Sequence, residues 1–338
     1  MRNVGESMGA EVPLTLACGD YDRTRAIRDG RVKVEGCAIN YLPMEPEEAF
    51  HRAFKHREFD VSELSFSSYL RTVDSGNAPY VGIPAFVSRL FRHSAVYIRS
   101  DRGMREPADL KGKLIGLPEY QITAVVWLRG IMQDEYGVKP TDIRWRQGGI
   151  EEPGRMERTP LKPIPGVELK SIPPEKTLSG MLESGELDAL YSARAPSCFL
   201  RGAPNVARLF PNFRDVEKAY YRKTGLFPIM HLIGIKRHIV EQHPWLPASL
   251  HKAFLEAKTI ALREVKEINA LPVTLPWLVA EAQETVELMG EDFWRYGVQE
   301  NMREIETLTR YAYEQGLVSR KLGVEDLFPS SVIEVNKV

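Results

Sequence analysis

Two ionisable residues interrupt otherwise apolar, strand-like stretches of this sequence: Glu63 within Val61–Leu64, and His231 between Met230 and Leu232. An imidazole is the side chain whose charge changes near neutral pH, so His231 is the first candidate for moving a proton. Glu63 is its natural partner, or a rival acid. His93 has a competing claim because it lies beside Arg89 and Arg92. Each has a bland alternative: a histidine among apolar neighbours is commonly a hydrogen-bonded core residue, and an arginine at a strand end is commonly a solvated charge.

The chemistry around such an acid would be anion binding. Arg23, Arg89, Arg92 and Arg194 supply guanidinium groups suited to bidentate contact with carboxylates. Arg194 follows the C-terminal edge of a strand, where open α/β sheets bind ligands. Asp20 and Arg23 open one helix, Ser65 and Ser67 another, and Tyr120, Gln121 and Thr123 a third. Free amides at helix starts attract carboxylates, although Asp20 also reads as a simple cap.

Other chemistries find little support. Among the seven histidines, His51 and His56 are five apart and so do not share a helix face, and no HxH or HExxH ligand set occurs. Ser67 and Ser192 lack a nucleophile-elbow setting, and no glycine-rich phosphate loop is present. Cys18, Cys37 and Cys198 are odd in number and widely spaced, which argues against a disulfide framework and for a reducing compartment. The formal charge of −1 offers no global field for nucleic acid. The longest apolar run, Leu226–Ile235, is far shorter than the roughly 20 residues of a membrane span. Glu6, Glu11 and Pro13 spoil the first residues as an export signal, so a cytoplasmic location is expected.

The elements that must position these residues alternate between strand and helix through the first half, the pattern of an α/β sheet. Strands are expected at Pro13–Cys18, Ala38–Leu42, Phe59–Leu64, Tyr80–Val87, Ser94–Ser100, Leu187–Tyr191 and Phe227–Ile235. A proline- and glycine-rich loop spans 148–176, where Glu151, Glu152 and Arg155 are either solvated charges or part of a lid. Beyond the last strand the chain reads as helical to about Glu314. At 338 residues two domains are the default.

Leu110–Leu117, Gly185–Leu190 and the helices that follow a return strand at His243-Pro244-Trp245 resemble type II periplasmic solute-binding proteins. Longer segments, Leu16–Thr24, Pro118–Gln121, Gly148–Arg155, Asp188–Ser192 and Phe227–His231, resemble the 4,5-dihydroxyphthalate decarboxylase family over nearly the whole chain. Ala193 departs from that pattern, in which proline follows Ser192.

The resemblance implies an α/β fold of two lobes with a ligand cleft between them and a helical C-terminal region. Lobe one is expected to hold residues 1–95 and 232–338, and lobe two residues 96–231. It also implies conversion of 4,5-dihydroxyphthalate to 3,4-dihydroxybenzoate and carbon dioxide with no organic cofactor, and the histidine spacing adds the expectation of no metal. Such a reaction needs an acid to protonate the ring carbon, for which His231, His93 and Glu63 are the candidates. It needs anchors for two carboxylates, drawn from Asp20, Arg23, Ser65, Ser67, Arg89, Arg92, Tyr120, Gln121, Thr123 and Arg194. The alternative is a passive binding protein for a small aromatic or heterocyclic anion. Helices at Glu281–Gly290 and Asn301–Gln315 could bury a subunit interface, so a homo-oligomer is also open.

Overall fold

Alternating short strands and helices fold into two mixed sheets in the computed structural model, which describes residues 11–155 and 161–333. The first sheet has the order β2-β1-β3-β11-β4, built from β1 (Val12–Cys18), β2 (Cys37–Pro43), β3 (Val61–Ser65), β4 (Tyr80–Arg89) and β11 (Ile229–Lys236). The second has the order β10-β5-β9-β6-β7-β8, from β5 (Val96–Arg99), β6 (Leu114–Leu117), β7 (Arg144–Gln147), β8 (Glu168–Ser171), β9 (Ala189–Tyr191) and β10 (Val206–Arg208).

The strands buried on both faces are near-continuous apolar runs, as two-sided coverage by helices requires. In β3 all five residues are buried, which is why Glu63 must find partners inside the protein. Helix α1 (Asp22–Arg28) follows β1, α2 (Pro46–His51) follows β2, and α3 (Phe66–Asp74) follows β3, so their starts cluster at one end of the sheet. In the second lobe α4 (Thr123–Tyr136) follows β6, with α5 (Leu178–Ser184), α6 (Ser197–Leu200) and α7 (Phe213–Thr224) beyond it. The C-terminal part is helical, with α8 (Arg237–Gln242), α9 (Leu246–Glu264), α10 (Leu278–Met289) and α11 (Met302–Glu314).

The chain leaves the first sheet after β4 and enters the second at β5. It returns after α7, and every residue of β11 lies in the first sheet, paired antiparallel with β3 and β4. Residue 231, expected as the last of lobe two, therefore lies inside a lobe-one strand, because the hydrogen-bonded ladder begins at Ile229 rather than after the histidine. Strand β10 carries no sequence signal of its own, because its three half-buried residues are too few to show a period.

The lobes meet closely along α4. The indole Nε1 of Trp127 donates to the Ile229 carbonyl at 2.8 Å. Gly130 packs against Tyr311 of α11, where an added Cβ would come within 2.2 Å of the tyrosine ring. One buried core accordingly runs through both sheets, with a smaller cluster around Leu178, Leu182 and Leu190 under the second.

Candidate active site

A cavity of about 260 Å³ opens between the two sheets, lined by Glu45, Glu47, Phe50 and Ser65 from one side and by Ile122, Thr123, Ala193 and Arg194 from the other. Leu90, Arg92, Met230 and His231, near the two crossings, complete its wall.

Strand register explains how the sequence brings an acid to this place. His231 stands opposite Ser65 across the β3–β11 ladder, and Ile233 stands opposite Glu63. Residues two apart on a strand share a face, so His231 and Glu63 are diagonal neighbours on the same side of the sheet. The imidazole Nδ1 lies 2.6 Å from Glu63 Oε1. Glu63 is wholly enclosed and the His231 side chain retains 18% exposure, so the carboxylate sits behind and the ring in front. The edge of Phe50 meets the ring at 4.7 Å between centroids.

Glu63 receives three further donors: the Gly19 amide at 2.8 Å, the Tyr21 hydroxyl at 2.8 Å and the Cys18 thiol at 3.5 Å. Burial works to raise its carboxyl, but the bonds and charge from His231 together with those from Gly19 and Tyr21 outweigh it and hold the group below the usual carboxylate range. An ionised Glu63 only accepts, so Nδ1 carries a proton and Nε2 is the nitrogen left toward the cavity.

Arg92 is the second distinctive group. It is 7% exposed, its Nε contacts Met230 Sδ at 3.4 Å, and its terminal nitrogens have no hydrogen-bond partner among the described residues. Burial pulls the guanidinium down to about 10, with Glu217 supplying a partial opposing attraction. Its charge stands on a cavity wall with only partial compensation, an arrangement that can receive an anion.

Below these groups the lobes are tied by hydroxyls. Thr123 Oγ1 is 3.0 Å from Ser65 Oγ and 2.9 Å from Ser67 Oγ, and it accepts from the Ser67 amide at 3.1 Å. Ser67 Oγ also donates to the Gln121 carbonyl. At the mouth, Arg194 pairs with Glu45, and Arg155 bridges Glu47 at 3.0 Å and Glu119 at 2.7 Å. Arg155 and the loop Gly149–Gly154 line an adjoining cavity with Glu47 and Arg194.

Of the residues singled out in the sequence, His231, Ser65, Arg92, Thr123 and Arg194 line the cavity, and Glu63 backs it. Others are elsewhere. Ser67 and Gln121 are buried in the ties between lobes, Gln121 also accepting from Arg71 at 2.6 Å. Tyr120 is buried beneath the Arg129 guanidinium, 3.5 Å from its ring centre. Asp20 pairs with Arg28 at 2.6 Å on the outside. Arg23 is stacked between the rings of Tyr21 and Trp294, 4.1 Å from each, with its Nε on the Val87 carbonyl.

Arg89 points away from the cavity into the C-terminal helices, bound to Glu304 at 3.0 Å and Asn301 at 2.7 Å. Residue 89 faces one side of β4, whereas Arg92 lies past the strand end and is free to turn the other way. His93 is buried among Tyr136, Phe210 and Tyr220 with neither ring nitrogen bonded, and burial lowers it to about 4. It is neutral at working pH and does not reach the cavity. Glu45, Glu47 and Phe50 were missed as site residues; Glu45-Pro46 was legible only as a helix start, and Glu45 does cap α2 through the Glu47 amide at 2.8 Å. No group of three His, Cys, Asp or Glu is placed to hold a metal ion among the described residues.

No family model matches the sequence. The chain is 44% identical over 329 residues to a 4,5-dihydroxyphthalate decarboxylase of Comamonas testosteroni, spanning 97% of this chain and 100% of that one. It is 46% identical over 209 residues to a 4,5-dihydroxyphthalate decarboxylase of Pseudomonas putida, spanning 62% of this chain and 81% of that one. Among solved structures, the periplasmic aliphatic sulphonate binding protein SsuA of Escherichia coli aligns with a TM-score of 0.53 at 12% identity, covering 96% of this chain and 99% of that one. That likeness shows the fold: a two-lobed α/β architecture of the periplasmic-binding-protein kind.

Proposed function

The chain belongs to the 4,5-dihydroxyphthalate decarboxylase family, and we propose that it converts 4,5-dihydroxyphthalate to 3,4-dihydroxybenzoate and carbon dioxide in the cavity between its lobes, with His231 as the proton donor. The observation that carries this reading is the placement of a carboxylate-backed imidazole and a buried arginine with no ion-pair partner among the described residues on the wall of one cavity.

A bare aryl anion is too unstable to form, so the ring carbon must accept a proton as or before its carboxylate leaves. Each carboxylate of the substrate is para to a hydroxyl, which feeds electron density onto the carbon bearing it. The Nε2–H of an imidazolium at His231 gives its proton to that carbon. The bond to the carboxylate then breaks, its electron pair restores the aromatic ring, and carbon dioxide departs. His231 regains a proton from water. One dicarboxylate and one proton thereby become one monocarboxylate and carbon dioxide.

The ionised Glu63 fixes the ring's orientation and stabilises its charged form before transfer. Arg92 holds the carboxylate that the product keeps, on the wall it shares with Ser65 and Thr123. Phe50, Leu90, Ile122 and Met230 give the ring and the departing carbon dioxide an apolar surround. Arg194 and Glu45 stand at the mouth within reach of the two ring hydroxyls.

No helix among the described residues is long and apolar enough to cross a membrane. We place the enzyme in the cytoplasm and treat the reaction as metal-independent; three free buried cysteines support a reducing compartment. The test is to incubate purified protein with 4,5-dihydroxyphthalate and follow 3,4-dihydroxybenzoate by chromatography. Turnover that His231→Ala abolishes supports the assignment. Tight binding without turnover in the unmodified protein refutes it in favour of a carrier.

A further inference from the structure

The dyad described above has a third member on its far side. We propose that Tyr21 is a positioning residue that sets how readily His231 releases its proton, acting through the Glu63 oxygen the two side chains share. This rests on the assignment of His231 as the acid.

Glu63 Oε1 accepts both His231 Nδ1 at 2.6 Å and the Tyr21 hydroxyl at 2.8 Å, while Oε2 takes the Gly19 amide and the Cys18 thiol. A carboxylate offers about four lone-pair directions, so this one is fully subscribed. Donors on one oxygen compete for the same electron density. What Tyr21 draws is withheld from the imidazolium, whose proton is then less firmly retained. Burial and the neighbouring Glu63 charge push the Tyr21 phenol well above its usual range, so it remains a donor throughout the working range of pH.

The hydroxyl is held there by its surroundings. The Tyr21 ring is covered by the Arg23 guanidinium, itself sandwiched against Trp294, whose Nε1 donates to the Phe86 carbonyl at 2.9 Å. On the other side the ring folds back over Gly19, where an added Cβ would lie 2.5 Å from it. Only glycine leaves that room. Arg23, two residues from Tyr21, thus reaches the site indirectly, as a clamp on a neighbour.

The charged and titratable groups around the dyad are Cys18, Arg23, Tyr41 and Tyr296 on the core side, and Glu45, Glu47, Arg92 and Arg194 on the cavity side. Tyr21→Phe leaves all of them in place and removes one oxygen. Without the competing donor, Glu63 holds the imidazolium more firmly. The alkaline limb of the kcat profile, where the acid loses its proton, is expected to move to higher pH while the plateau falls about tenfold. Affinity for 3,4-dihydroxybenzoate stays within about twofold, because the hydroxyl faces away from the cavity.

A lower plateau with an unmoved limb, or a limb moved to lower pH, overturns the proposal. Nitrogen-15 spectra of the ligand-free protein give a second readout independent of turnover, the His231 ring titrating at higher pH in the variant. The two layers of the argument fail separately. Turnover by His231→Ala removes the acid assignment itself; an inactive His231→Ala beside a Tyr21→Phe variant with unshifted pH dependence removes only the role of Tyr21.

Discussion

Replacing Arg92 by methionine should make the empty protein more stable and the loaded one weaker. Burial pulls this guanidinium down from its ordinary value to about 10, which at roughly 1.4 kcal/mol per pH unit corresponds to about 3 kcal/mol of desolvation left unrepaid. Methionine fills much of the same volume beside Met230 and gives up the Nε contact to the thioether at 3.4 Å and the partial attraction to Glu217. Ligand-free stability in urea is therefore expected to rise by about 1–3 kcal/mol. A charge-assisted bond to a carboxylate is worth about 2–3 kcal/mol, so affinity for 3,4-dihydroxybenzoate should fall roughly 30- to 150-fold by calorimetry. Catechol, which lacks the carboxylate, provides the control: its affinity should be nearly the same in both proteins. Equal loss for catechol and 3,4-dihydroxybenzoate, or a less stable ligand-free variant, would refute the reasoning that Arg92 is a partly compensated cation awaiting an anion.

Other consequences can be checked alongside. Arg89→Met breaks a buried network with Glu304, Asn301 and the Phe227 carbonyl, so it should cost about 3 kcal/mol of stability in urea, with KM unchanged in whatever fraction folds. Burial raises Glu217 to about 7 although the Ser94 amide donates to it. A carboxyl raised in the folded state contributes stability that is full below about 4.5 and is lost as pH rises through 7. Glu217→Gln should accordingly gain about 1–2 kcal/mol on the unmodified protein between pH 5 and pH 8, the magnitude reduced for partial exposure. Dialysis against chelator should leave turnover intact, and activity lost and then restored by zinc or manganese would contradict the metal-independent reading.

What the sequence made legible was the type of each critical residue, and what it hid was direction. Glu63 and His231 were conspicuous because a charge or imidazole inside an apolar strand needs a partner. Their contact depends on β3 and β11 being antiparallel neighbours 168 positions apart at a register where 63 and 231 fall on one diagonal, which no local pattern encodes. The arginines show the limit more sharply. Arg23 opens a helix and Arg89 and Arg92 lie near the outward crossing, yet one clamps a tyrosine, one serves the C-terminal helices and one lines the cavity. A long side chain on a strand end reaches either side, and the partner that decides, such as Glu304, is over 200 residues away. The helix starts at Ser67 and Gln121 were located correctly as elements, but the Ser67 hydroxyl donates to the Gln121 carbonyl across the cleft and the Gln121 side-chain amide donates to Glu119.

Those ties across the cleft differ in kind from the ones at its mouth. The inner set is neutral: Ser65, Ser67 and Thr123 exchange hydroxyl bonds out of reach of solvent. The outer set is ionic and wet, Arg194 to Glu45 and Arg155 to Glu47. Dissolved ions screen the second and leave the first untouched. Raising ionic strength is therefore expected to loosen the exposed pairs at the mouth more than the hydroxyl ties beneath them.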